Sequence, residues 1–411
     1  MSTGGTEKPG RRVLIISTMG GNPWGGSEFL WKQAAAKLIK AGHHVELSVY
    51  NWGRRRSEHI IELEQQGAVV RTRGAIHSPS LVHKPATLLR RRFFAKRQIA
   101  RDLHRARPDV VLISCGSLSE LLLPGLPETF RGASIGDRKS TGDHAPYEVI
   151  FQTNLETQAF PAAQLQRIRQ FLDGAKSVHF VSNRLIQQAR RQLVWAGDNA
   201  QLVHNPVNLD LSEAQQMEWP KEQGDSTVRW ACVGRLECAT KGQLLLLQVL
   251  ASAKWRARSW ALEFFGEGPD RALIQEAIRT LKLEDRVKLA GFTRNVADIW
   301  RTRHALILPS YYEGQPLSLQ EAMACGRVAV GTDVGGMADL LCETSPPEKT
   351  TGFLAEAPLP IYLDAAMERA WNARDRWPDI GQAAREHLTS FRGDAPIEAF
   401  VSRLIHGLNR P

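Results

Sequence analysis

The chain has 411 residues, 43% of them hydrophobic, with 53 Lys and Arg against 43 Asp and Glu and a formal net charge of +10. That length suits two domains of ordinary size, each with its own core. No stretch is long and apolar enough to span a bilayer, and the polar first ten residues hold no signal-peptide core, so a cytoplasmic location is expected. Five scattered cysteines, Cys115, Cys232, Cys238, Cys325 and Cys342, have no paired spacing, which speaks against a disulfide framework and against a zinc site.

In chain order the first expected strand is Val13 to Ser17. The loop Gly20-Gly21-Asn22-Pro23-Trp24-Gly25-Gly26-Ser27-Glu28 follows, then a helix from Phe29 to Ile39. Gly20, Gly25 and Ser27 fall at P-loop spacing, but Gly26 stands where the phosphate-binding lysine belongs, so a nucleotide triphosphatase is rejected. A tight turn with Ser27 as helix cap accounts for the loop equally well. Residues 1–210 hold 29 Lys and Arg against 17 Asp and Glu, leaving 24 against 26 for the rest, so the basicity belongs to the first half. Its densest part, Arg90-Arg91-Arg92-Phe93-Phe94-Ala95-Lys96-Arg97 continuing to Arg101, Arg105 and Arg107, predicts a helix with a wide cationic face and an apolar edge from Phe93, Phe94 and Leu103. Such a face suits anionic membrane lipid or an anionic acceptor, and equally a solvated helix of a basic protein. Nucleic acid is disfavoured, because no stacking aromatics or binding motif accompany the charge.

A mid-domain strand is expected from Glu148 to Asn154, preceded by a loop carrying His144. Polar residues 208–227 mark a break. Beyond it the apolar run Val228 to Val233 ends in Gly234-Arg235-Leu236, with Lys241-Gly242 close behind. Phe265-Gly266-Glu267-Gly268-Pro269, Val287 to Phe292 and Thr332 to Met337 repeat the pattern of a strand ending in glycine. Open α/β sheets bind ligands at such carboxyl ends, and strands alternating with helices predict two doubly wound sheets. An isolated Arg and Lys after a strand are ordinarily solvated surface.

Residues 308–336 are the most informative. Pro316 suits a first helical turn and Gly326 a helix end, which predicts a helix from Pro316 to Cys325 with Glu321 inside it and Glu313 just ahead. Backbone amides from Gly314 to Leu317 are then free donors for an anionic or hydroxyl-rich ligand. Two glutamates eight apart mean little alone, since an acidic residue near a helix start is favoured by the helix dipole.

Together these stretches resemble the Glu-x7-Glu signature and the Gly-Arg-Leu…Lys-Gly element of retaining glycosyltransferases of family four, with the GT-B fold of two Rossmann-like domains facing a central cleft. The resemblance is dense over residues 228–355 and sparser before. It implies that Glu321 holds the ribose hydroxyls of a nucleotide-sugar and that Glu313, Gly314, Gln315, Pro316 and Leu317 line the donor-sugar pocket. Arg235 and Lys241 would neutralise the departing diphosphate, beside Gly234 and Gly266, and Phe292 would cup the base. Gly25-Gly26-Ser27-Glu28 resembles the glycine loop that faces donor phosphate and acceptor, so Gly25 and Gly26 fall on the donor side and Ser27 and Glu28 on the acceptor side.

Many members carry a histidine near the transferred sugar. Here the matching strand offers Gln152 and Asn154 instead, with His144 a candidate substitute. The implied activity is metal-independent transfer of a sugar from a nucleotide donor to a hydroxyl acceptor, without a cofactor and with retention. The implied domains are 1–210 on the acceptor side, 211–390 binding the nucleotide-sugar, and a helix in 391–411 packing back on the first. A nucleotide-sugar 2-epimerase of the same fold and a non-catalytic sugar-nucleotide-binding protein are the alternatives.

Overall fold

A computed structural model describes residues 10–19, 23–53, 56–74, 97–122, 126–130, 145–221, 227–344, 347–393 and 396–406. His144, Gly20 to Asn22 and Arg90 to Lys96 lie outside the described residues. The chain divides into two compact units, residues 1–206 with 395–411 and residues 207–394.

The first unit is built on seven parallel strands, β1 (Arg12–Ser17), β2 (His44–Tyr50), β3 (Val69–Arg73), β4 (Val110–Cys115), β5 (Tyr147–Phe151), β6 (Ser177–Phe180) and β7 (Ala200–Leu202), in the order 3-2-1-4-5-6-7. A parallel sheet is covered on both faces, and its central strands accordingly read as unbroken apolar runs; all of β4 and all of β1 after Arg12 are buried. The helix Phe29–Lys40 lays Leu30, Trp31, Ala34, Ala35 and Leu38 on this core at helical spacing. The C-terminal helix Pro396–His406 belongs to this unit and buries Ile397, Phe400 and Leu404 in the same core. Phe400 meets buried His179 edge-on, with ring centroids 5.1 Å apart.

The second unit has six parallel strands, β8 (Val228–Val233), β9 (Trp260–Phe265), β10 (Val287–Gly291), β11 (Ala305–Leu308), β12 (Val328–Thr332) and β13 (Phe353–Ala355), in the order 10-9-8-11-12-13. Both sheets are doubly wound and Rossmann-like. One side of the second core holds Trp230, Trp255, Trp260 and Trp371, with the Arg258 guanidinium 4.4 Å over Trp255 and bonded to both oxygens of Glu368 at 2.7 and 3.0 Å.

Three expectations need correction. The units change over at 206/207 and 394/395, not at 210 and 390, because Val207 is buried in the second core and the helix Trp377–Arg392 carries Ala384 and Leu388 into it. Within the polar break Leu211–Gln215 is helical, capped by Asp210, which accepts from Ser212 N at 2.9 Å. Strand β5 stops at Phe151, so Gln152 and Asn154 lie past its end. Leu103 is no apolar edge either. In the helix over 97–106 it is buried with Ile99 and Ala106, Asp102 accepts from Ser48 Oγ at 2.7 Å, and Arg101 and Arg105 are left exposed.

Candidate active site

In the second unit the carboxyl ends of β8 and β11 assemble the predicted group. β8 runs out into Gly234-Arg235-Leu236, and Gly234 N donates to Phe265 O at 2.9 Å, tying the ends of β8 and β9 together. Two glycines let this layer close. A Cβ on Gly266, at φ +137°, would stand 2.0 Å from Gly234 O, and one on Gly335, at φ +54°, would stand 2.1 Å from Glu313 O. The short helix Cys238–Lys241 then brings Lys241 back over the strand ends. Its Nζ donates to Glu313 Oε1 at 2.6 Å.

Glu313 is 8% exposed, and its Oε1 also accepts from Ser310 Oγ at 2.8 Å. Ser310 is in turn fixed through its carbonyl, which accepts from Thr332 Oγ1 at 2.5 Å. Arg235 is half-buried and its guanidinium makes no ion pair or hydrogen bond among the described residues. Its carbonyl accepts from the buried Gln243 Nε2 at 2.8 Å. One cation of the predicted pair is therefore held by a carboxylate, while the other is uncommitted.

The helix after Glu313 spans Leu317–Ala324, with Pro316 before it and Cys325 closing it, within a residue of expectation. Gln315 and Pro316 are buried, and Gly336 N donates to Gly314 O at 2.5 Å, so the loop Gly314 to Leu317 is fixed before any ligand arrives. Glu321 is buried, and its carboxyl has no side-chain partner among the described residues. Burial alone pushes it up to about 8, so at neutral pH it is mostly protonated. Phe292 stands 69% exposed just beyond β10.

The described acceptor-side candidates of the first unit fall beyond the carboxyl ends of β1 and β5. Gly25 and Gly26 lead through the 3-10 turn Gly26–Glu28 into the helix Phe29–Lys40, and no side chain caps that helix, so Ser27 is not a cap. Glu28 is buried and accepts from Ser17 Oγ at 2.6 Å; burial raises its carboxyl to about 7, the Ser17 bond opposing. Gln152 is buried with its Nε2 unpartnered among the described residues, and its N donates to Cys115 O at 3.1 Å. Asn154 is spoken for, because its Nδ2 donates to Gln192.

Around the end of β1 a polar cluster also appears that sequence reasoning missed. Arg73, fully buried, donates to the Ser17 carbonyl, and Glu120 accepts from Thr18 Oγ1 and from Gly116 N at 2.8 Å. Arg73 sits 56 residues from Ser17 and Glu120 sits 102 from Thr18, just past the end of β1, and nothing local marks them. Ser310, three residues before Glu313, was within reach of a spacing argument.

Among the described residues no group of three His, Cys, Asp or Glu side chains is placed to hold a metal ion. Residues 24–211 match the family model Glycosyltransferase Family 4, and residues 227–372 match the model Glycosyl transferases group 1. The N-acetyl-alpha-D-glucosaminyl L-malate synthase of Bacillus anthracis is 32% identical over 133 residues, 30% of this chain and 34% of that protein. A D-inositol 3-phosphate glycosyltransferase of Segniliparus rotundus is 24% identical over 241 residues, 56% of this chain and 52% of that one. The chain thus spans about a third to a half of the length of these relatives. Among solved structures, Anabaena HepE in complex with UDP superposes with a TM-score of 0.70 at 16% identity, covering 96% of this chain and 100% of that one. Sucrose-phosphate synthase from Thermosynechococcus elongatus gives 0.71 at 18% identity, covering 97% and 99%.

Proposed function

We propose, for a chain that belongs to the glycosyltransferases of the GT-B fold, that it moves a sugar from a nucleotide-diphosphate sugar to a hydroxyl acceptor with retention at the anomeric carbon. The observation that carries this reading is the assembly of Lys241, Glu313 and the uncommitted Arg235 at the carboxyl ends of β8 and β11. The glycosidic bond of the donor breaks with negative charge building on the diphosphate oxygen. Preorganised cations lower that barrier without reorganising when the charge appears. Arg235 is free to meet the phosphates, and Lys241, positioned by Glu313, adds a second charge. Glu313 and the loop Gly314 to Leu317 face the donor sugar, Glu321 takes the ribose hydroxyls, and Phe292 offers a ring to the base.

In this reading the acceptor proton passes to the departing diphosphate oxygen, so no protein base is assigned and no metal is required. The set Arg235, Lys241, Glu313 and Glu321 supports a transferase over an epimerase or a binding protein. No described helix is long and apolar enough to cross a membrane. The basic segment Arg90 to Arg107 supports docking on anionic lipid by composition alone. To test the main reading, the protein is incubated with UDP-, GDP- and ADP-sugars, with and without EDTA. Nucleoside diphosphate released equally in both, with the product's anomeric configuration retained by NMR, supports it; release that requires a divalent cation, or an inverted product, overturns those parts.

A further inference from the structure

Both cations of the second unit's site are tied to one turn. Gly242, at φ +65°, joins the short helix Cys238–Lys241 to the helix Gln243–Leu250, and a Cβ there would stand 2.0 Å from Pro309 O. Lys241 leaves the turn on one side and reaches Glu313. Gln243 leaves it on the other, 1% exposed, and its Nε2 donates to the Arg235 carbonyl at 2.8 Å. That carbonyl also accepts from Glu237 N at 2.9 Å, while Gly234 N and Leu236 N on either side of Arg235 donate to Phe265 O and Glu267 O at 2.9 and 3.1 Å. The main chain at Arg235 is thus held from the end of β9 and from the turn, and its side chain is left to move. Gln243 Oε1 is buried with no hydrogen-bond partner among the described residues. Turning the amide over would set that oxygen against the Arg235 oxygen, so the donor bond fixes its orientation.

We infer that Gln243 is a positioning residue for the leaving-group cation, acting on the donor diphosphate through the main chain of Arg235. The inference rests on the glycosyltransferase reading and deepens it by adding the residue that sets how Arg235 is presented. Stability gives no reason for an amide at this place. The Arg235 carbonyl already has a backbone donor in Glu237, so it would not be left unpaired without Gln243, whereas the orphaned Oε1 costs the folded state a desolvated acceptor. An unbranched apolar side chain of the same length would avoid that cost. What the amide supplies is a second donor, from outside the strand end, that stops the peptide after Arg235 from rocking. A guanidinium without a partner of its own takes its reach and direction from the main chain it stands on, and a displacement of about 1 Å in a group facing a transition state can cost about a hundredfold. Lys241 needs no such support, because Glu313 holds its side chain directly.

The test is a double-substitution cycle on the full chain, read as release of nucleoside diphosphate from UDP-, GDP- and ADP-glucose, with a thermal melt of each variant. Gln243→Met keeps the length and loses the donor, so it should melt within about 3 °C of wild type and lower kcat about tenfold. Arg235→Ala should lower kcat about a hundredfold. In the double variant Gln243→Met should add less than about twofold, since no guanidinium is left to aim. A glutamine that only held the fold would cost as much in the Arg235→Ala background as in the wild type, and that outcome overturns the inference, as does undiminished turnover in folded Gln243→Met. Gln243→Glu has the same shape and donates only while its carboxyl is protonated, so its turnover relative to wild type should fall as pH rises from about 6 to about 9. If Gln243→Met does not fold, this ratio decides, and a flat ratio overturns the inference. With Arg235→Ala down a hundredfold and Gln243→Met unchanged, the inference fails alone. Full turnover in Arg235→Ala, or no release from any of the three sugars by the wild type, sinks the glycosyltransferase reading on which it rests.

Discussion

Arg235→Ala and Lys241→Ala should lower turnover alike yet differ in what they do to stability, because the two cations are held differently before donor binds. Removing one preorganised charge from a developing oxyanion typically costs about 3 kcal/mol of transition-state stabilisation, or about a hundredfold in kcat. Arg235 has no side-chain partner among the described residues, so its loss should leave the melting temperature within about 1 °C, as for a substitution away from any buried network. Lys241 is the ion-pair partner of Glu313, whose side chain is 8% exposed against 29% for the lysine. Breaking a wholly buried pair costs about 3–5 kcal/mol. Partial exposure of Lys241 and the surviving Ser310 bond reduce that to about 1–2 kcal/mol, a fall of about 3–6 °C for a unit of this size. Adding Glu313→Gln to Lys241→Ala should restore much of the melting temperature and none of the turnover. The assays are release of nucleoside diphosphate under saturating donor and thermal melting without ligand. Near-normal kcat in both single variants, or equal melting shifts in the two, would refute the reasoning.

The Glu321 carboxyl should make nucleotide binding pH-dependent. Its folded value of about 8 lies above the ordinary carboxylate range, so the folded state keeps a proton that the unfolded chain has lost, and its contribution to stability falls as pH rises from about 4.5 to 8. If ribose hydroxyls require the ionised form, nucleotide affinity should weaken by up to about tenfold per pH unit below 8, and Glu321→Gln should flatten that dependence and raise the donor KM; a wild-type affinity constant between pH 6 and 8 makes Glu321 a plain helix residue. Gly335→Ala puts a Cβ against the Glu313 carbonyl at positive φ, which should cost up to about 3 kcal/mol and lower the melting temperature together with nucleotide binding. An unshifted melt would show that the loop yields instead. For the basic segment, replacing Arg90, Arg91, Arg92, Lys96 and Arg97 with Gln should abolish sedimentation with anionic liposomes at low salt, each charge being worth about 1 kcal/mol, and should spare hydrolysis of the nucleotide-sugar. Wild-type protein that stays in the supernatant makes the segment a solvated face.

Local chemistry carried much of this protein on its own. Unbroken apolar runs such as Val228 to Val233 announce covered parallel strands, and a proline and a glycine bracket the helix after Glu313, because backbone limits and strand burial act over a few residues. Arg235, Lys241, Glu313 and Glu321 stood out only through the family resemblance, since an Arg and Lys after a strand or two glutamates eight apart say little on their own. Only tertiary structure decided which charges are spent. Lys241 and Glu313 are 72 residues apart and pair because parallel β8 and β11 lie side by side, and nothing local to Arg235 says that it stays uncommitted. The same holds for Arg73 and Glu120, brought to the end of β1 by neighbouring strands, and for Leu103, whose place in the core depends on the sheet beneath it. A burial pattern within one helix marks an apolar side. What covers that side, and which buried carboxyl finds a cation, is set by chain segments that sequence distance keeps apart and packing brings together.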